Sequence, residues 1–265
     1  MSPSEVISPS QLFLYLTCSL KYRFQYVDRL PKPFRAAAAA LGSSIHKALE
    51  WLHKERKQGR NPALADLLRT FEADWYGQTV GLELRWDEEP EEKLLLKAKE
   101  LLSQYHCLPA RAVQDAEVHF QVPLVNPATG EALDLPLRGV IDLIEADGAI
   151  VEFKSPQRKP PETDLPDNLQ LTAYSYAYEL LFGKPPKELR RVSLVRTKTP
   201  KIETQITGRE KRDYERLFHI AKEALKGIRA GVFVPNRGCF LCADCEFFQD
   251  CQEWTGNEEV SDGHA

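Results

Sequence analysis

The sequence predicts an α/β fold in which helices flank a mixed central β-sheet. Apolar residues recur at helical spacing through about the first hundred residues, and an alternation with a period of two begins near Ala116. A further helical stretch then separates these strands from a second group of strands. Helices followed by a strand meander, and then by helix, strands and helix, are typical of this class.

The first predicted helix begins with a capping box. Ser8 is the cap, Pro9 fits the first helical position, and Gln11 completes the box. One apolar face is predicted to run through the whole helix, which also carries Cys18; its members are Leu12, Leu16, Leu20 and Phe24. The sequence therefore predicts one continuous helix over this stretch.

Three more helices are predicted in the N-terminal part. One runs from about Leu41 to Gln58, where Gly59 is a stop signal, and two follow over about 63–78 and 90–106. The acidic run at 86–92 lies between the last two and predicts an exposed connection.

The strands and the last helices follow in order. Val118, Phe120 and Val122 alternate with polar residues, and Asn126 to Gly130 form a turn. Asp147-Gly148 is a hairpin signal between two further strands. The remaining predicted segments are strands at 133–145 and 149–153, a loop at 155–167, a helix at 168–182, strands at 189–197 and 202–206, and a helix within 208–231.

Composition limits the location and the partners of the chain. No apolar run approaches the roughly 18 residues that span a bilayer, and the N-terminus lacks the pattern of a secretory signal. We therefore expect a cytoplasmic protein with reduced thiols. The net charge is −4, but basic residues concentrate at 157–159 and 187–201, which permits a basic groove for nucleic acid.

Two carboxylates flank the predicted hairpin. Asp142 lies five residues before the turn and Glu152 follows it at the matching distance, so they can face each other across adjacent strands. Two carboxylates about 4 Å apart repel by about 4 kcal/mol at an effective dielectric of about 20, and a divalent cation such as Mg²⁺ reverses that cost. Lys154 shares the face of Glu152 and could position a water or stabilise a phosphate.

A simpler interpretation exists for each of these residues. Glu152 and Lys154 can form a surface ion pair, and Asp142 can cap a strand end. The apolar neighbours of both carboxylates favour a partner or a metal instead. His46 lies beside the apolar stripe of its helix, where a histidine is more often structural.

The cysteines indicate a second metal site. Cys242, Cys245 and Cys251 form a C-x₂-C-x₅-C pattern, which in a reducing compartment points to Zn²⁺ or an iron–sulfur cluster. Cys18 and Cys239 compete for the fourth position. Buried free thiols are the alternative, and they suit Cys107 at the end of an apolar helix.

The chain resembles the RecB-like PD-(D/E)XK nucleases of the iron–sulfur branch, which includes the AddB nuclease domain and the small nucleases of CRISPR adaptation. The resemblance covers nearly the whole sequence. It rests on SPSQLFLYLTCSLKYRFQYV, GSSIHKALE, GVID followed by VEFKS, Gln170-Leu-Thr-Ala-Tyr174, and VPNRGCFLCADCEFFQDC. It implies a restriction-endonuclease-like core.

The resemblance also implies roles for individual residues. His46, Asp142, Glu152 and the Phe153 carbonyl would bind catalytic Mg²⁺ or Mn²⁺, and Lys154 would be the catalytic lysine. Further roles are support and DNA contact for Gln170 and Tyr174, a possible additional acid at Glu117, and a [4Fe–4S] cluster held by Cys18, Cys242, Cys245 and Cys251. Ser19 replaces the proline that many relatives have after the first cysteine, and Cys239 leaves a different ligand set open.

These expectations describe a single nuclease domain over 1–265. Its parts are a helical region at 1–110 carrying Cys18 and His46, a catalytic core at 111–232, a cluster segment at 233–253 and a disordered tail at 254–265. The implied activity is an exonuclease for single-stranded or end-bearing DNA in repair, recombination or CRISPR adaptation. No P-loop pattern occurs, so DNA unwinding would need a helicase partner. The alternatives are a non-cleaving DNA-end-binding scaffold with an iron–sulfur cluster and a zinc-stabilised interaction protein.

Overall fold

The computed structural model describes residues 5–86 and 89–256. Its helices are α1 (Pro9–Thr17), α2 (Ser19–Tyr22), α3 (Ala37–Lys57), α4 (Leu64–Thr79), α5 (Glu91–Cys107), α6 (Leu169–Phe182), α7 (Lys211–Arg229) and α8 (Phe248–Trp254). Its strands are β1 (Arg35–Ala36), β2 (Leu84–Arg85), β3 (Val113–Val122), β4 (Leu137–Glu145), β5 (Ile150–Lys154), β6 (Leu189–Val195) and β7 (Lys201–Thr207).

A five-stranded mixed sheet lies at the centre, in the order β3-β4-β5-β6-β7. The β5–β6 pair is parallel, and the other neighbouring pairs are antiparallel. β5 is therefore the middle strand. The predicted α/β class with a mixed central sheet is confirmed.

Helices cover both faces of the sheet. On one face, α1, α6 and α7 pack around Ile141, Leu171 and Phe218. On the other, α3, α4 and α5 pack around Leu49 and Phe153. The central strands are consequently enclosed between two apolar layers.

The predicted hairpin between β4 and β5 is present. Gly148 has a φ of 87°, which glycine adopts without steric cost, and its amide donates to the Glu145 carbonyl. The Asp147 carboxylate accepts a hydrogen bond from the Ala149 amide at 3.1 Å. This turn sets the register of the two strands.

The first helix is not continuous as predicted. α1 ends at Thr17, and Cys18 adopts an extended conformation before α2 begins. The Ser19 hydroxyl donates to the Val234 carbonyl at 3.2 Å and accepts from the Val234 amide at 2.8 Å. Pairing with a distant segment therefore overrides the helical pattern, and Leu16 is left 54% exposed.

Two further boundaries differ from the prediction. α3 begins at Ala37, because the alanine run is a strong helix former. β4 begins at Leu137 instead of Leu133, since Pro136 has no amide proton to donate to a neighbouring strand.

The predicted acidic connection and tail fall partly outside the described residues, which exclude 87–88 and 257–265. The first residues of the predicted tail belong to the end of α8, where the Thr255 amide donates to the Cys251 carbonyl. Among the described residues, no helix is both long enough and apolar enough to cross a membrane.

Candidate functional site

Asp142 and Glu152 lie on the adjacent strands β4 and β5. Leu143 pairs with Val151, and this register sets Asp142 beside Glu152. The Asp142 carboxylate accepts a hydrogen bond from the Phe153 amide at 2.8 Å. The structure thus brings the two predicted acids together at the centre of the sheet.

Burial changes the ionisation of both acids. Glu152 is only 2% exposed, and among the described residues its carboxylate is paired with the Lys154 ammonium alone. Burial, and then repulsion by Asp142, raises the pKa of Glu152 to about 7. Burial likewise raises the pKa of Asp142 to about 6. Two buried acids without enough donors are poised to gain from a bound cation.

Lys154 connects this pair to α6. Its ammonium forms an ion pair with the Glu152 carboxylate and donates to the Gln170 side-chain oxygen at 2.8 Å. The Gln170 amide in turn donates to the Tyr174 hydroxyl at 2.7 Å. Asn168 caps α6 by accepting from the Leu171 amide at 2.9 Å. The cap fixes the first turn of α6, which carries Gln170.

His46 reaches the site from α3. Its Nδ1 atom lies 3.6 Å from an Asp142 carboxylate oxygen, and its ring packs edge-on against Phe153. Burial lowers the pKa of His46, which favours the neutral imidazole that binds metals.

Glu117 in β3 has a backbone conformation that is unusual for a residue with a side chain. Its φ is 55°, a left-handed conformation that costs a side-chain-bearing residue about 1–2 kcal/mol. Ala116 pairs with Leu143 and Val118 pairs with Ile141, so Glu117 is placed at the level of Asp142. Burial raises the pKa of Glu117 as well. Strained backbone of this kind is concentrated at functional sites.

The donors at the site suit a hard divalent cation. His46, Asp142, Glu152 and the Phe153 carbonyl offer one imidazole and several oxygens, the set that suits Mg²⁺ or Mn²⁺. Glu152 supports this fit, because its buried carboxylate has only the Lys154 ammonium as a partner among the described residues. No three His, Cys, Asp or Glu side chains in the described ranges already stand as a formed metal-binding group.

Four cysteines line one pocket of about 150 Å³ between α2 and the C-terminal segment: Cys18, Cys242, Cys245 and Cys251. Cys239 is not among its lining residues, although its sulfur lies 3.7 Å from that of Cys242. Four thiols facing one pocket fit a structural metal or an iron–sulfur cluster. Cys107 is exposed and distant in sequence from the others.

A groove beside Lys154 is lined by residues for which the sequence predicted no role at this site. Phe13, Asp164 and Arg191 line it together with Lys154 and Gln170. Phe13 is 51% exposed and lies off the predicted apolar face of its helix, which is the signal that could have identified it. Arg191 pairs in register with Glu152, a placement that only the strand order reveals.

The expected exposed basic groove is wrong for three of its arginines. Arg190, Arg191 and Arg196 are each at most 6% exposed. They contact Glu145, Gln205 and the Ser155 carbonyl respectively. The physical reason is that β6 lies inside the sheet, where helices and neighbouring strands cover its side chains. Lys198 is exposed, as expected.

Known proteins are similar to this chain in sequence pattern and in fold. The sequence pattern of the PD-(D/E)XK nuclease superfamily matches residues 6–252. The fold is similar to that of a candidate exonuclease from Eubacterium rectale, with a TM-score of 0.55 and 14% identity over 91% of this chain and 88% of that one. A second structure, the protein SSO0001, has a TM-score of 0.43 and 13% identity over 95% and 88% of the two chains. No curated protein sequence matches the chain significantly.

Proposed function

Because the chain belongs to the PD-(D/E)XK nuclease superfamily, we propose that it is a metal-dependent deoxyribonuclease, acting as an exonuclease on single-stranded or end-bearing DNA. One observation carries the proposal. The carboxylates of Asp142 and buried Glu152 lie side by side, and the Lys154 ammonium, which pairs with Glu152, is held by Gln170. That arrangement supplies both a cation site and a fixed positive charge beside it.

In the proposed mechanism, His46, Asp142, Glu152 and the Phe153 carbonyl would hold Mg²⁺ or Mn²⁺. When bound, the ion would supply Lewis-acid stabilisation of the scissile phosphate and a more acidic water. Lys154 positions the attacking water or stabilises charge on the phosphate. The water oxygen forms a bond to phosphorus while the ester bond to the departing oxygen breaks, and the proton that the water loses balances the proton that the departing oxygen gains.

Gln170 and Tyr174 position Lys154 in this scheme. The chain of hydrogen bonds from Tyr174 through Gln170 restricts the lysine ammonium to one side of Glu152. Glu117 is a further acid at the level of Asp142, and its role stays a prediction.

Two exposed aromatic rings support a single-stranded substrate. Phe13 lines the groove beside Lys154, and its ring centroid lies 6.2 Å from that of Phe240, which is 73% exposed. Unpaired bases stack on such rings with about 1–3 kcal/mol per base, whatever their identity. The negative charge of Asp164, which lines the groove, repels DNA phosphates. Base stacking therefore contributes more to the binding than phosphate contacts do.

The proposal includes a [4Fe–4S] cluster held by Cys18, Cys242, Cys245 and Cys251, with Zn²⁺ as the less favoured occupant. Its support is the shared pocket of these four thiols. The cluster segment at 233–253 then ties the helical region at 1–110 to the core at 111–232. A cytoplasmic location, a helicase or CRISPR-adaptation partner, and a role in repair or recombination complete the proposal.

The test is digestion of end-labelled single- and double-stranded DNA with Mn²⁺. We expect the Asp142→Ala substitution to lower cleavage by at least about 100-fold, because the metal contributes several kcal/mol to the transition state. Asp134→Ala is the matched control, since Asp134 is an exposed acid paired with Arg229. Equal cleavage by wild type and Asp142→Ala would exclude the proposed site. DNA binding without any cleavage would favour the scaffold alternative.

A further inference from the structure

A second polar pocket lies on the opposite face of the sheet from Glu152. It measures about 220 Å³, and its lining includes His53, Arg56, Tyr105, Arg111, Glu145 and Arg190. Val151 lines the pocket, whereas the next residue, Glu152, points to the other face. His53 follows His46 by seven residues on α3, a rise of about 10 Å. The pocket is therefore separate from the nuclease site.

Positive charge exceeds negative charge in this pocket. Arg190 pairs with Glu145 at 2.7 Å and with Glu188 at 2.5 Å. Arg111 reaches the same Glu145 carboxylate at 3.5 Å, and Arg56 forms no ion pair within the described residues. Three guanidinium groups thus face one lining carboxylate and the nearby Glu188.

Several donors in the pocket lack partners. Arg190 is 5% exposed, and its Nη2 atom has no hydrogen-bond acceptor. His53 is 4% exposed; its Nε2 atom meets the Tyr105 hydroxyl at 2.9 Å, while Nδ1 has no partner. The Nε atom of Arg56 is also unpartnered. Buried donors are rarely left without acceptors, so three in one pocket point to a missing ligand.

His53 adds a neutral donor to the two guanidinium groups. A neutral ring that accepts from the Tyr105 hydroxyl at Nε2 carries an N–H at Nδ1. This tautomer supplies one more donor without a partner among the described residues.

We propose that this pocket binds a phosphate-type oxyanion, either inorganic phosphate or the terminal phosphate of a nucleotide. Arg56 and Arg190 are its main ligands, with His53 Nδ1 as a third donor and Arg111 at the exposed rim. A tetrahedral oxyanion offers several acceptors to planar guanidinium groups and to an N–H at once. Water would satisfy the hydrogen bonds but would not balance the excess charge.

Calorimetric titration with sodium phosphate, at constant ionic strength and with chelator present, tests the site. We expect the Arg56→Gln substitution to weaken binding at least about tenfold, because a hydrogen bond to a charged group is lost. Arg60→Gln is the matched control, since Arg60 lies just after the end of α3 and pairs with Glu55. Lys154→Gln should also keep wild-type affinity, which separates this pocket from the nuclease site.

The two possible sources of the phosphate are distinguished by a second titration, with a nucleoside 5′-monophosphate. Tighter binding of the nucleotide than of phosphate identifies the nucleotide, and equal binding identifies free phosphate. No binding of either ligand by wild type, or unchanged affinity in Arg56→Gln, overturns the proposal. If Arg56→Gln fails to fold, Arg111→Gln at the exposed rim provides the same comparison.

Discussion

Glu152 is nearly inaccessible to solvent, and within the described part of the chain its one ion pair is with Lys154. Its ionised form is therefore unfavourable in the absence of a cation, and the same holds for Asp142. Because these pKa values are raised, the two acids stay protonated to a higher pH in the folded state than in the unfolded chain. The resulting stabilisation is present below the ordinary acid pKa near 4.5 and is lost as pH rises through about 7.

We therefore expect the metal-free protein to become less stable as the pH rises from about 4.5 to about 7. We expect this decrease to be smaller in the Glu152→Gln variant. The shift of Glu152 from 4.5 to about 7 corresponds to about 3 kcal/mol. Thermal unfolding in chelator across this pH range measures the effect. Glu223→Gln, at an exposed acid paired with Lys226, serves as the control. A pH dependence identical in wild type and Glu152→Gln would contradict the expectation.

Glu117 allows a test of backbone strain at a single position. Glu117→Gly should raise the free energy of unfolding by about 1 kcal/mol relative to Glu117→Gln, because only glycine adopts its φ of 55° freely. Both variants lose the carboxylate, so comparing them removes the contribution of its charge. Denaturant unfolding gives the difference, and a Gly variant less stable than the Gln variant would argue against stored strain.

At the residue scale, the sequence predicted the members of the site that lie close together along the chain. Asp142, Glu152 and Lys154 follow from a hairpin and strand alternation, whereas Gln170 and Tyr174 follow from the resemblance to the nuclease family. The left-handed backbone of Glu117 could not be predicted, since no local pattern indicates it. Arg191 depends on a parallel pairing across a long connection, which local periodicity does not encode.

At the element scale, the pairing of β3 with β4 places Gly139 opposite Phe120. A Cβ atom at Gly139 would lie 2.5 Å from the Phe120 ring, so the ring occupies the space that any larger residue needs. Phe120 in turn packs edge-on against Tyr174, the residue that supports Gln170. Close packing against Phe120 therefore explains why glycine occupies this position of the GVID motif.

We expect Gly139→Ala to destabilise the protein by about 1–3 kcal/mol, because Phe120 must move within a filled core. Gly208→Ala is the control, since a Cβ atom there meets nothing within 4 Å. Chemical denaturation of the two variants provides the comparison. Equal stability would mean that the Phe120 ring relocates freely.

The element boundaries show where local pattern fails. The capping box of α1, the β4–β5 hairpin and the bounds of α4 and α5 agree with the sequence within about four residues. The break at Cys18 does not, because it depends on hydrogen bonds between Ser19 and Val234, residues far apart in the chain. The apolar spacing from Leu12 to Phe24 does not indicate the pairing with Val234.

At the scale of the whole molecule, the N-terminal and C-terminal segments are joined. The Tyr15 hydroxyl donates to the Val232 carbonyl at 3.1 Å, and the Asn236 amide donates to the Thr17 carbonyl at 2.9 Å. Leu20, Phe24 and Phe247 form a small apolar cluster beside the cysteine pocket. With so little apolar surface there, a bound metal would contribute much of the closure energy.

Cys251→Ala is expected to abolish visible cluster absorbance and to lower Tm by roughly 10 °C, which corresponds to about 3 kcal/mol in a chain of this size. Cys107→Ala should change neither property, since Cys107 is exposed and apart from the pocket. Absorbance and melting of freshly purified protein are the two measurements. Lost absorbance with an unchanged Tm would show that the cluster does not hold the segments together.

The distance along the chain between Cys18 and Cys251 also has a consequence during synthesis. These two residues line one pocket although 233 positions separate them. At ribosomal rates of about 5–20 residues per second, the first cysteine waits roughly 10 to 50 s for the last. A metal shared by Cys18 and Cys251 would therefore require the Cys18 thiol to stay reduced throughout translation, and it could bind both residues only after residue 251 has left the ribosome.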